Sequence, residues 1–386
     1  MNKDFLLFHK PFISEDEVNE IVDTVRSGWL SMGPKTLRFE DEFNKYIGSK
    51  VSVAVSSWTA AGHLTLEAYG LQRGDEVIVP TMTFPATAEI VCYFGAKPVI
   101  VDVDDDTLNI SLEQIERAIT PNTKAIIPVH YGGQPCDMDE ILELAKKHNL
   151  KVIEDAAHSL PAIYKGKKVG TISDVTCFSF YATKTLSTGE GGMICTNDEA
   201  LAERCAIMRL HGINRDAWKR YSEAGSWYYE VVAPGYKYNF TDLQASLGLA
   251  QLKKVDIMWN SRKAIAARYT EALKDFDLIK LHGIKSDRES SWHLFPIRLQ
   301  LNKLNINRAQ VVEELKKRNI GAGVHFLPVH QHLYYKEALN LDDKDFPVAT
   351  AAFPELVSLP IYPGMSEQQV DKVIDVLVDL LNHHKK

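Results

Sequence analysis

The sequence predicts an α/β protein with a large domain built on a mostly parallel β-sheet, followed by a smaller α/β domain. Two observations support this prediction. Between residues 51 and 196, short apolar runs alternate with segments of helical periodicity, which is typical of a parallel sheet covered by helices on both faces. The chain has 386 residues, and single hydrophobic cores stop growing at about 250–300 residues. We therefore predict domains at 1–255 and 256–386.

Six apolar runs predict buried strands, because they lack the polar alternation of a half-exposed strand. They are VSVAV at 51–55, DEVIVP at 75–80, KPVIVDV at 97–103, TKAIIPVHY at 123–131, KVIEDAA at 151–157 and VTCFSFY at 175–181. A further run, GMICT at 192–196, begins at the end of the short turn GEGG. Such a short connection predicts an antiparallel neighbour.

Helices are predicted between these strands at 59–69, 84–94, 111–118 and 138–148. At Ser111 the SLEQ pattern matches a capping box, in which the serine hydroxyl accepts a backbone N–H. Residues 242–273 keep helical spacing throughout, so we predict one long helix linking the domains. Beyond it we predict a strand in SWHLFPIRL at 291–299 and helices at 308–318 and 370–381.

Composition favours a soluble cytoplasmic protein. Charged residues make up 25% of the chain, and the net charge of −7 is spread along it, which argues against a nucleic-acid partner. No run approaches the roughly 18 apolar residues of a membrane span, and the first 20 residues lack a signal-peptide pattern. The five cysteines are odd in number and have no paired CxxC spacing, so neither disulfides nor zinc are expected.

No metal site is predicted. The acidic run at 102–113 has calcium-loop spacing, but Thr107 stands where such a loop needs glycine. His130, Cys136 and Asp137 match no common zinc pattern.

Ligands of a doubly wound sheet bind at the carboxyl ends of its strands. The polar residues predicted at that edge are Ser56, Ser57, Thr81, Thr83, His130, Tyr131, Glu154, Asp155, Ser179 and Lys184. Asp155 and Lys184 follow successive strands, and neighbouring strands lie about 4.8 Å apart, so a planar ring could contact both. Taken alone, Asp155 is also explained as a helix cap and Lys184 as a solvated loop lysine.

The turn at 56–59 joins a strand to a helix whose first amides have no internal partner, which favours an anion there. An ordinary N-cap by Ser57 or Thr59 explains the same pattern.

Five motifs, in this order, resemble the pyridoxal-phosphate sugar aminotransferases of the DegT/DnrJ/EryC1/StrS family. They are SSWTAAGHLTLEA, GDEVIVPTMTFPATA, VIEDAAHSLPAIYKGKKVG, CFSFYATKTLSTGEGGMICT and PGYKYNFTDLQASLGLAQL. The likeness runs from residue 27 to the carboxyl-terminal helix. Within the family, AITPNTKAIIPVHY, PGYKYN, SWHLFPIRL and GAGVHF look most like the UDP-4-amino-4-deoxy-L-arabinose aminotransferases. The resemblance implies the aspartate-aminotransferase fold, fold type I of the enzymes that use pyridoxal phosphate.

The resemblance also implies catalytic and cofactor roles. Lys184 would form the Schiff base with pyridoxal 5'-phosphate, and Asp155 would face the pyridine nitrogen and keep it protonated. Phe84 would stack on the cofactor ring. His158 occupies the place where many relatives have glutamine, near the phenolic oxygen.

The phosphate contacts implied by the resemblance come from Ser179 and from the turn at Trp58 and Thr59. Most relatives have a smaller residue at the position of Trp58. Asn239 would reach the phosphate of the neighbouring subunit, so the active sites would be shared across a homodimer.

The implied reaction moves the amino group of L-glutamate to the keto carbon of a nucleotide-linked sugar, at C4, for bacterial surface-glycan or lipid A synthesis. Amination at C3, a dehydratase of the same fold and a non-catalytic homologue remain alternatives, although the dehydratases resembling this family carry histidine where this chain has Lys184. Substrate contacts are predicted from Trp29, His325 and His330. His211 and the segment GSWYYE at 225–230 are weaker candidates, which packing or a dimer interface explains equally well.

Overall fold

The computed structural model describes residues 4–214 and 228–386. The strands, in chain order, are β1 (Val51–Val55), β2 (Glu76–Pro80), β3 (Lys97–Val101), β4 (Thr123–Ile126), β5 (Lys151–Asp155), β6 (Ile163–Tyr164), β7 (Lys167–Lys168), β8 (Val175–Ser179), β9 (Gly192–Thr196), β10 (Ile279–Leu281), β11 (Arg288–Glu289), β12 (Phe295–Leu299) and β13 (Leu356–Leu359).

The α-helices, in chain order, are α1 (Glu15–Ser27), α2 (Pro34–Ile47), α3 (Trp58–Ala68), α4 (Ala86–Cys92), α5 (Leu112–Ala118), α6 (Met138–Lys147), α7 (Glu199–Met208), α8 (Asp242–Leu252), α9 (Val255–Leu273), α10 (Arg308–Lys317), α11 (Leu333–Ala338), α12 (Pro347–Ala352) and α13 (Glu367–His383). In the described part of the chain, no helix is long and apolar enough to cross a membrane.

The main sheet of the described residues has seven strands in the order β1-β9-β8-β5-β4-β2-β3. The five strands from β3 to β8 in this order are parallel, and β9 runs antiparallel to both β1 and β8. This arrangement confirms the predicted mostly parallel sheet and the antiparallel GMICT run. All residues of β2 and β8 are buried, as the absence of polar alternation predicted.

Helices cover both faces of this sheet. Alternate strand residues, such as Val53 and Val77, pack with α3, α4 and α7 on one face. Their neighbours Ala54 and Ile78 point to the opposite face, where α2 and α8 pack against one part of the sheet and α5 and α6 against another. Successive residues of each strand therefore point to opposite faces of the sheet, and a layer of helices packs on each face.

The second sheet has the order β10-β12-β13 and packs with α9, α10 and α13 in a separate hydrophobic core. Leu6, from the start of the chain, belongs to this second core, whereas Tyr335 and Phe346 pack into the first. A few residues from each side of residue 256 thus pack in the core formed mainly by the other side. The division at 255 and 256 stays a prediction.

The single long helix predicted at 242–273 is wrong. The chain forms α8 and α9, which are separated by Lys253 and Lys254. Helix α8 packs against α1 and α2 on the main sheet, while α9 packs in the second core, so the chain changes direction between them. Lys254 marks the break, where its amine forms an ion pair with Glu17 and donates to Ser14 Oγ at 2.8 Å.

Two smaller predictions also differ from the structure. Helix α5 is present, but the Ser111 hydroxyl caps none of its amides because it hydrogen-bonds the Asp104 carboxylate instead. The strand predicted at 291–299 is shorter, since only residues 295–299 pair with the second sheet. The preceding residues cross to the large sheet, where the N–H of Ser291 donates to Gly133 O at 3.1 Å.

Helices α1, α2, α7, α11 and α12 were not predicted. Helix α1 has a complete capping box between Ser14 and Glu17, a signal that the sequence does contain. Helix α2 begins with proline after Gly33 and ends at Gly48, which has φ +94°. These helix start and stop signals could have located both helices.

The start of β9 touches the start of α3. A Cβ atom on Gly192 would lie 2.5 Å from Ser57 O and 2.8 Å from Trp58 N, both backbone atoms. We predict that Gly192→Ala destabilises the fold by about 1–3 kcal/mol, because the added methyl has to push the helix start off the strand. Urea unfolding measures this loss. Gly283→Ala is the control, since its Cβ would meet nothing within 4 Å; an equal effect of the two changes would contradict the argument.

Candidate active site

A cavity of about 490 Å³ lies at the carboxyl edge of the main sheet. It is bordered by the turn after β1, the loop after β2, the end of β5 and the connection between β8 and β9. The predicted residues that line it are Trp58, Thr59, Phe84, Asp155, His158, Ser179, Lys184 and His325. The structure therefore gathers eight of the eleven predicted site residues around one space.

Lys184 lies on the connection between β8 and β9. This connection is closed on itself, because Phe180 N–H donates to Gly191 O at 2.8 Å and Thr188 N–H donates to Phe180 O at 2.9 Å. Burial lowers the pKa of Lys184 to about 8, while the Asp155 carboxylate acts in the opposite direction. An ammonium with this pKa loses its proton readily near neutral pH, so Lys184 is not an ordinary solvated lysine.

Asp155 ends β5 and is only 4% exposed. Its Oδ2 accepts from Thr87 Oγ1 at 3.0 Å, and its Oδ1 accepts from Ala157 N–H at 3.0 Å. Burial raises the pKa of this carboxyl to about 6, although the two donors and Lys184 oppose that rise. No helix follows β5, so the cap interpretation is wrong. A buried carboxylate of this kind is stabilised by a cation placed against it.

The turn after β1 has the features of an anion site. Ser57 is the N-cap of α3, and its Oγ accepts from Ala60 N–H at 3.0 Å. The Trp58 side chain is buried and its Nε1 donates to Cys177 O at 3.1 Å, so the indole packs against β8. Thr59 and Ser179 place hydroxyl groups on the cavity wall beside the positive end of the α3 dipole.

Phe84 offers an aromatic surface to the cavity. Its side chain is 61% exposed, which is unusual for a phenyl group at the centre of a fold. Phe326 meets it edge to face at a centroid distance of 6.1 Å. Phe326 also stacks with His158 at 5.6 Å. A planar ring bound here would cover the exposed phenyl group.

Three predicted residues do not line this cavity. The prediction for His330 is wrong: its ring is fully buried, hydrogen-bonds Thr81 and Thr350, and stacks on Phe346 at 4.2 Å. Trp29 instead donates from Nε1 to Met32 O at 3.0 Å, before α2. Asn239 donates from Nδ2 to Phe240 O at 3.2 Å, and its role across a subunit boundary stays a prediction.

The weaker candidates gain no support. His211 is exposed and does not line the cavity. Of the segment at 225–230, residues 225–227 lie outside the described residues, and Tyr228 and Tyr229 are exposed.

The sequence prediction missed several residues of the cavity wall. They are Thr87, Tyr181, Thr183, His293 and Phe326, together with Glu190 and Gly191 of the GEGG turn. Thr83, predicted at the edge of the sheet, also lines the cavity. Thr83 and Thr87 are one helical turn apart, with their hydroxyl oxygens 2.7 Å from each other, and the second donates to Asp155. Their spacing of four within TFPAT could have identified them as a pair facing the same side.

These residues fit pyridoxal phosphate. The cofactor requires an amine for its aldehyde, a carboxylate for its ring nitrogen, an anion site for its phosphate and a surface for its ring. Lys184, Asp155 and the start of α3 meet the first three requirements, and Phe84 meets the fourth. The buried Nδ1 of His158 has no partner among the described residues, so it too is available to a bound group.

Comparisons with known proteins agree with this chemistry. The uncharacterized protein MJ1066 of Methanocaldococcus jannaschii is 50% identical over all of both chains. The spore coat polysaccharide biosynthesis protein SpsC of Bacillus subtilis is 47% identical over 98% of this chain and 97% of its own. Spr1654 of Streptococcus pneumoniae, assigned as a sugar aminotransferase and solved in its PMP form, has a TM-score of 0.92, 35% identity, and coverage of 98% of this chain and 99% of its own.

The same S. pneumoniae protein has also been solved in its PLP form. Aminotransferases of this kind depend on pyridoxal phosphate, and the fold of this chain is fold type I. The model of the DegT/DnrJ/EryC1/StrS aminotransferase family matches residues 11–378. This chain belongs to the DegT/DnrJ/EryC1/StrS aminotransferase family.

Proposed function

We propose that this protein transfers the amino group of L-glutamate to the keto carbon, at C4, of a nucleotide-linked sugar used for bacterial surface-glycan or lipid A synthesis. The observation that carries the proposal is the pairing of Lys184 and Asp155 on one cavity wall, with the pKa of the amine lowered and that of the acid raised. A family member that kept only its fold would have no need to maintain two costly buried charges.

Lys184 has two roles in this reaction. Its neutral amine would hold the aldehyde of the cofactor, and once displaced by the donor, Nζ would take the proton from the substrate carbon that bears the nitrogen. The pKa of about 8 leaves about a tenth of the amine neutral at pH 7, far more than an ordinary lysine has, and proton removal requires this neutral form. Pyridoxal phosphate, when bound, supplies the electron sink that stabilises negative charge on that carbon.

The Asp155 carboxylate is fixed in the cavity wall by two hydrogen-bond donors. Thr87 and the Ala157 N–H fix both carboxylate oxygens, so the acid cannot turn away from the cavity. Opposite a protonated ring nitrogen, the carboxylate would form an ion pair, which would lower its pKa. The free energy of that pairing offsets the burial of both charges.

The sugar substrate is supported by relatives and by residues. SpsC is named for polysaccharide biosynthesis, and Spr1654 is assigned as a sugar aminotransferase. The choice of UDP and of C4 rests on the sequence likeness in PGYKYN, SWHLFPIRL and GAGVHF. Two of these motifs reach the cavity, through His293 and through His325 with Phe326.

A homodimer with shared active sites is part of the proposal. Several large apolar side chains are exposed around the cavity and the neighbouring surface of α4 and α11: Phe84 61%, Tyr181 47%, Tyr93 55%, Leu327 38%, Leu333 72% and Tyr334 62%. Phe84 and Tyr181 line the cavity, and Tyr93, Leu333 and Tyr334 line a second hollow beside α4 and α11. Exposed apolar side chains gathered in this way are typical of a subunit interface. Sedimentation of the holoenzyme tests the assembly, and a monomer at micromolar concentration would contradict it.

The experiment that tests the function supplies the holoenzyme with L-glutamate and a panel of nucleotide-linked keto sugars, and follows 2-oxoglutarate release. We expect turnover with a UDP-linked 4-keto sugar, and NMR of the product locates the new amine. Amination at C3 would change the position assigned here. Release of 2-oxoglutarate with none of the sugars would contradict the proposed substrate class.

A further inference from the structure

Three imidazole rings form one part of the cavity wall. His158, His293 and His325 all line the cavity. The rings of His158 and His293 are 4.4 Å apart between centroids, and Phe326 lies against both His158 and His325 at 5.6 and 5.2 Å. Such a concentration of imidazoles on one wall has no part in holding a pyridine nitrogen or a phosphate group.

Two of these rings lack side-chain hydrogen-bond partners among the described residues. Among the described residues, neither His158 nor His293 makes a side-chain hydrogen bond, and the Nδ1 atom of each is buried. Buried polar atoms are almost always paired with protein, water or ligand. His325 differs, because its Nδ1 lies 3.0 Å from Ser358 Oγ. The free hydrogen-bonding capacity of the wall is therefore concentrated at His158 and His293.

Arg262 lies behind His293 and is completely buried. Its Nη1 donates to the carbonyl oxygens of Ile361 at 2.7 Å, Trp292 at 3.1 Å and His293 at 3.3 Å. Its Nε and Nη2 have no partner among the described residues. A buried guanidinium without a carboxylate is costly, and burial lowers its pKa to about 9.

Residues of both predicted domains hydrogen-bond the segment that carries His293. The N–H of Leu294 donates to Gly132 O at 3.1 Å, and the Ser291 hydroxyl donates to His158 O. From the other side, Trp259 Nε1 donates to Ser290 O at 2.8 Å. These bonds and the Arg262 contacts fix the His293 ring in the cavity wall.

The imidazoles of this wall are held neutral. Burial lowers the pKa of His158, His293 and His325, and the Lys184 ammonium lowers all three further, as Arg262 does for His293. His9 lies in the same group, where its pKa is lowered to about 4 by burial, Arg262 and Lys184. The carboxylates of Asp155 and Glu190 line the same cavity, and Asp155 faces Lys184. The imidazole Nδ1 atoms of His158 and His293 nevertheless have no partner among the described residues, and neither do Nε and Nη2 of Arg262. These unpartnered nitrogens favour an anion at the wall.

We propose that this imidazole wall binds a carboxylate of the amino donor, and that His293 is its direct contact while Arg262 is a positioning residue. The inference rests on the proposed function, in which the donor is the dicarboxylate L-glutamate. An imidazole at His293 that meets a carboxylate gains a proton, because an adjacent anion favours the charged form. Binding of a dicarboxylate therefore takes up a proton from solution.

The test uses the holoenzyme and three probes: glutarate, which has both carboxylates of the donor but no amine, glutaramide, in which neutral amides replace both carboxylates, and UDP. Calorimetry in buffers of different ionisation enthalpy gives the affinity and the number of protons taken up. In His293→Phe, which keeps the ring but removes both nitrogens, glutarate affinity is expected to fall about tenfold or more. Its proton uptake is also expected to fall, with UDP affinity unchanged. His148→Phe, at an exposed position, is the control.

Several outcomes decide the inference separately from the proposed function. Wild-type holoenzyme that binds glutarate no better than glutaramide would overturn it, as would an unchanged glutarate affinity in His293→Phe. An equal loss for UDP would place a phosphate on this wall instead of the donor. If His293→Phe does not fold, His293→Gln replaces it, since glutamine cannot take up a proton; undiminished uptake would overturn the inference. Sugar turnover with glutamate remains a separate measurement, so failure of the proposed function is recognised independently.

Discussion

Replacement of Lys184 by alanine is expected to lower turnover by at least about 10⁴-fold, because one amine both attaches the cofactor and moves the substrate proton. Among the described residues of the cavity wall, Lys184 is the lysine, so no neighbouring amine stands ready to replace it. Its position is fixed by the closed connection between β8 and β9, and by the hydrogen bond from its own N–H to Tyr181 O at 2.9 Å. The variant is expected to fold, since this backbone bond does not depend on the side chain.

Two measurements check the expectation. The first is the rate of 2-oxoglutarate release. The second is the mass of the protein after borohydride reduction and denaturation, which is expected to include the cofactor in the wild type and to lack it in Lys184→Ala. Lys146→Ala, at an exposed position of α6, is the control. Undiminished turnover in Lys184→Ala would refute the role given to this residue.

Replacement of Asp155 by asparagine is expected to have opposite effects on activity and on the stability of the cofactor-free protein. Activity is expected to fall about 10³-fold, because a neutral amide cannot hold a protonated ring nitrogen in a dry site. The cofactor-free protein is expected to become more stable above neutral pH. The carboxyl is 4% exposed and its pKa rises on folding from 3.8 to about 6.

The direction of this pH dependence follows from the shift. Because the folded state holds the proton of Asp155 more tightly, its contribution to stability is fully present below the unfolded pKa of 3.8 and is lost as the pH rises through about 6. At higher pH the ionised carboxyl costs on the order of 3 kcal/mol. Asparagine has no such pH-dependent cost. It also retains a carbonyl oxygen for the Ala157 N–H and an amide that can donate to Thr87.

Urea unfolding of the cofactor-free proteins at about pH 5 and about pH 8 measures the effect. The free energy of unfolding of Asp155→Asn relative to wild type is expected to increase between these two values. Asp345→Asn, at an exposed site, is the control and is expected to show no such trend. A stability difference that stays constant or reverses with pH would show that the carboxyl of Asp155 is not strained by burial in the folded protein.

Residues at the carboxyl edge of the main sheet were predicted from the sequence more accurately than the course of the chain between helices. Asp155 and Lys184 were located because apolar strands are easily recognised and ligand sites follow their carboxyl ends. The break between α8 and α9 was missed because both helices keep apolar spacing, and only their different packing partners require the chain to turn. His330 was mistaken for a substrate contact, since one histidine in a sequence cannot be told apart from another until its hydrogen-bond partners are known.

His293 illustrates a different limit. Its neighbours in the cavity wall, His158 and His325, lie far from it along the chain, and its place depends on Arg262 and on Ser291, which are held by other elements. The motif SWHLFPIRL was recognised, but its first residues were interpreted as strand. Nothing in local periodicity distinguishes a residue that pairs in a sheet from one that crosses between two cores.

The close contact between Gly192 and the start of α3 joins the two parts of the chain that we propose hold the aldehyde and the phosphate of the cofactor. With no side chain between them, the distance from the Lys184 connection to the start of α3 is set before any ligand binds. We therefore expect a vitamin B6 compound without its phosphate to bind more weakly than pyridoxal phosphate, however well its ring fits.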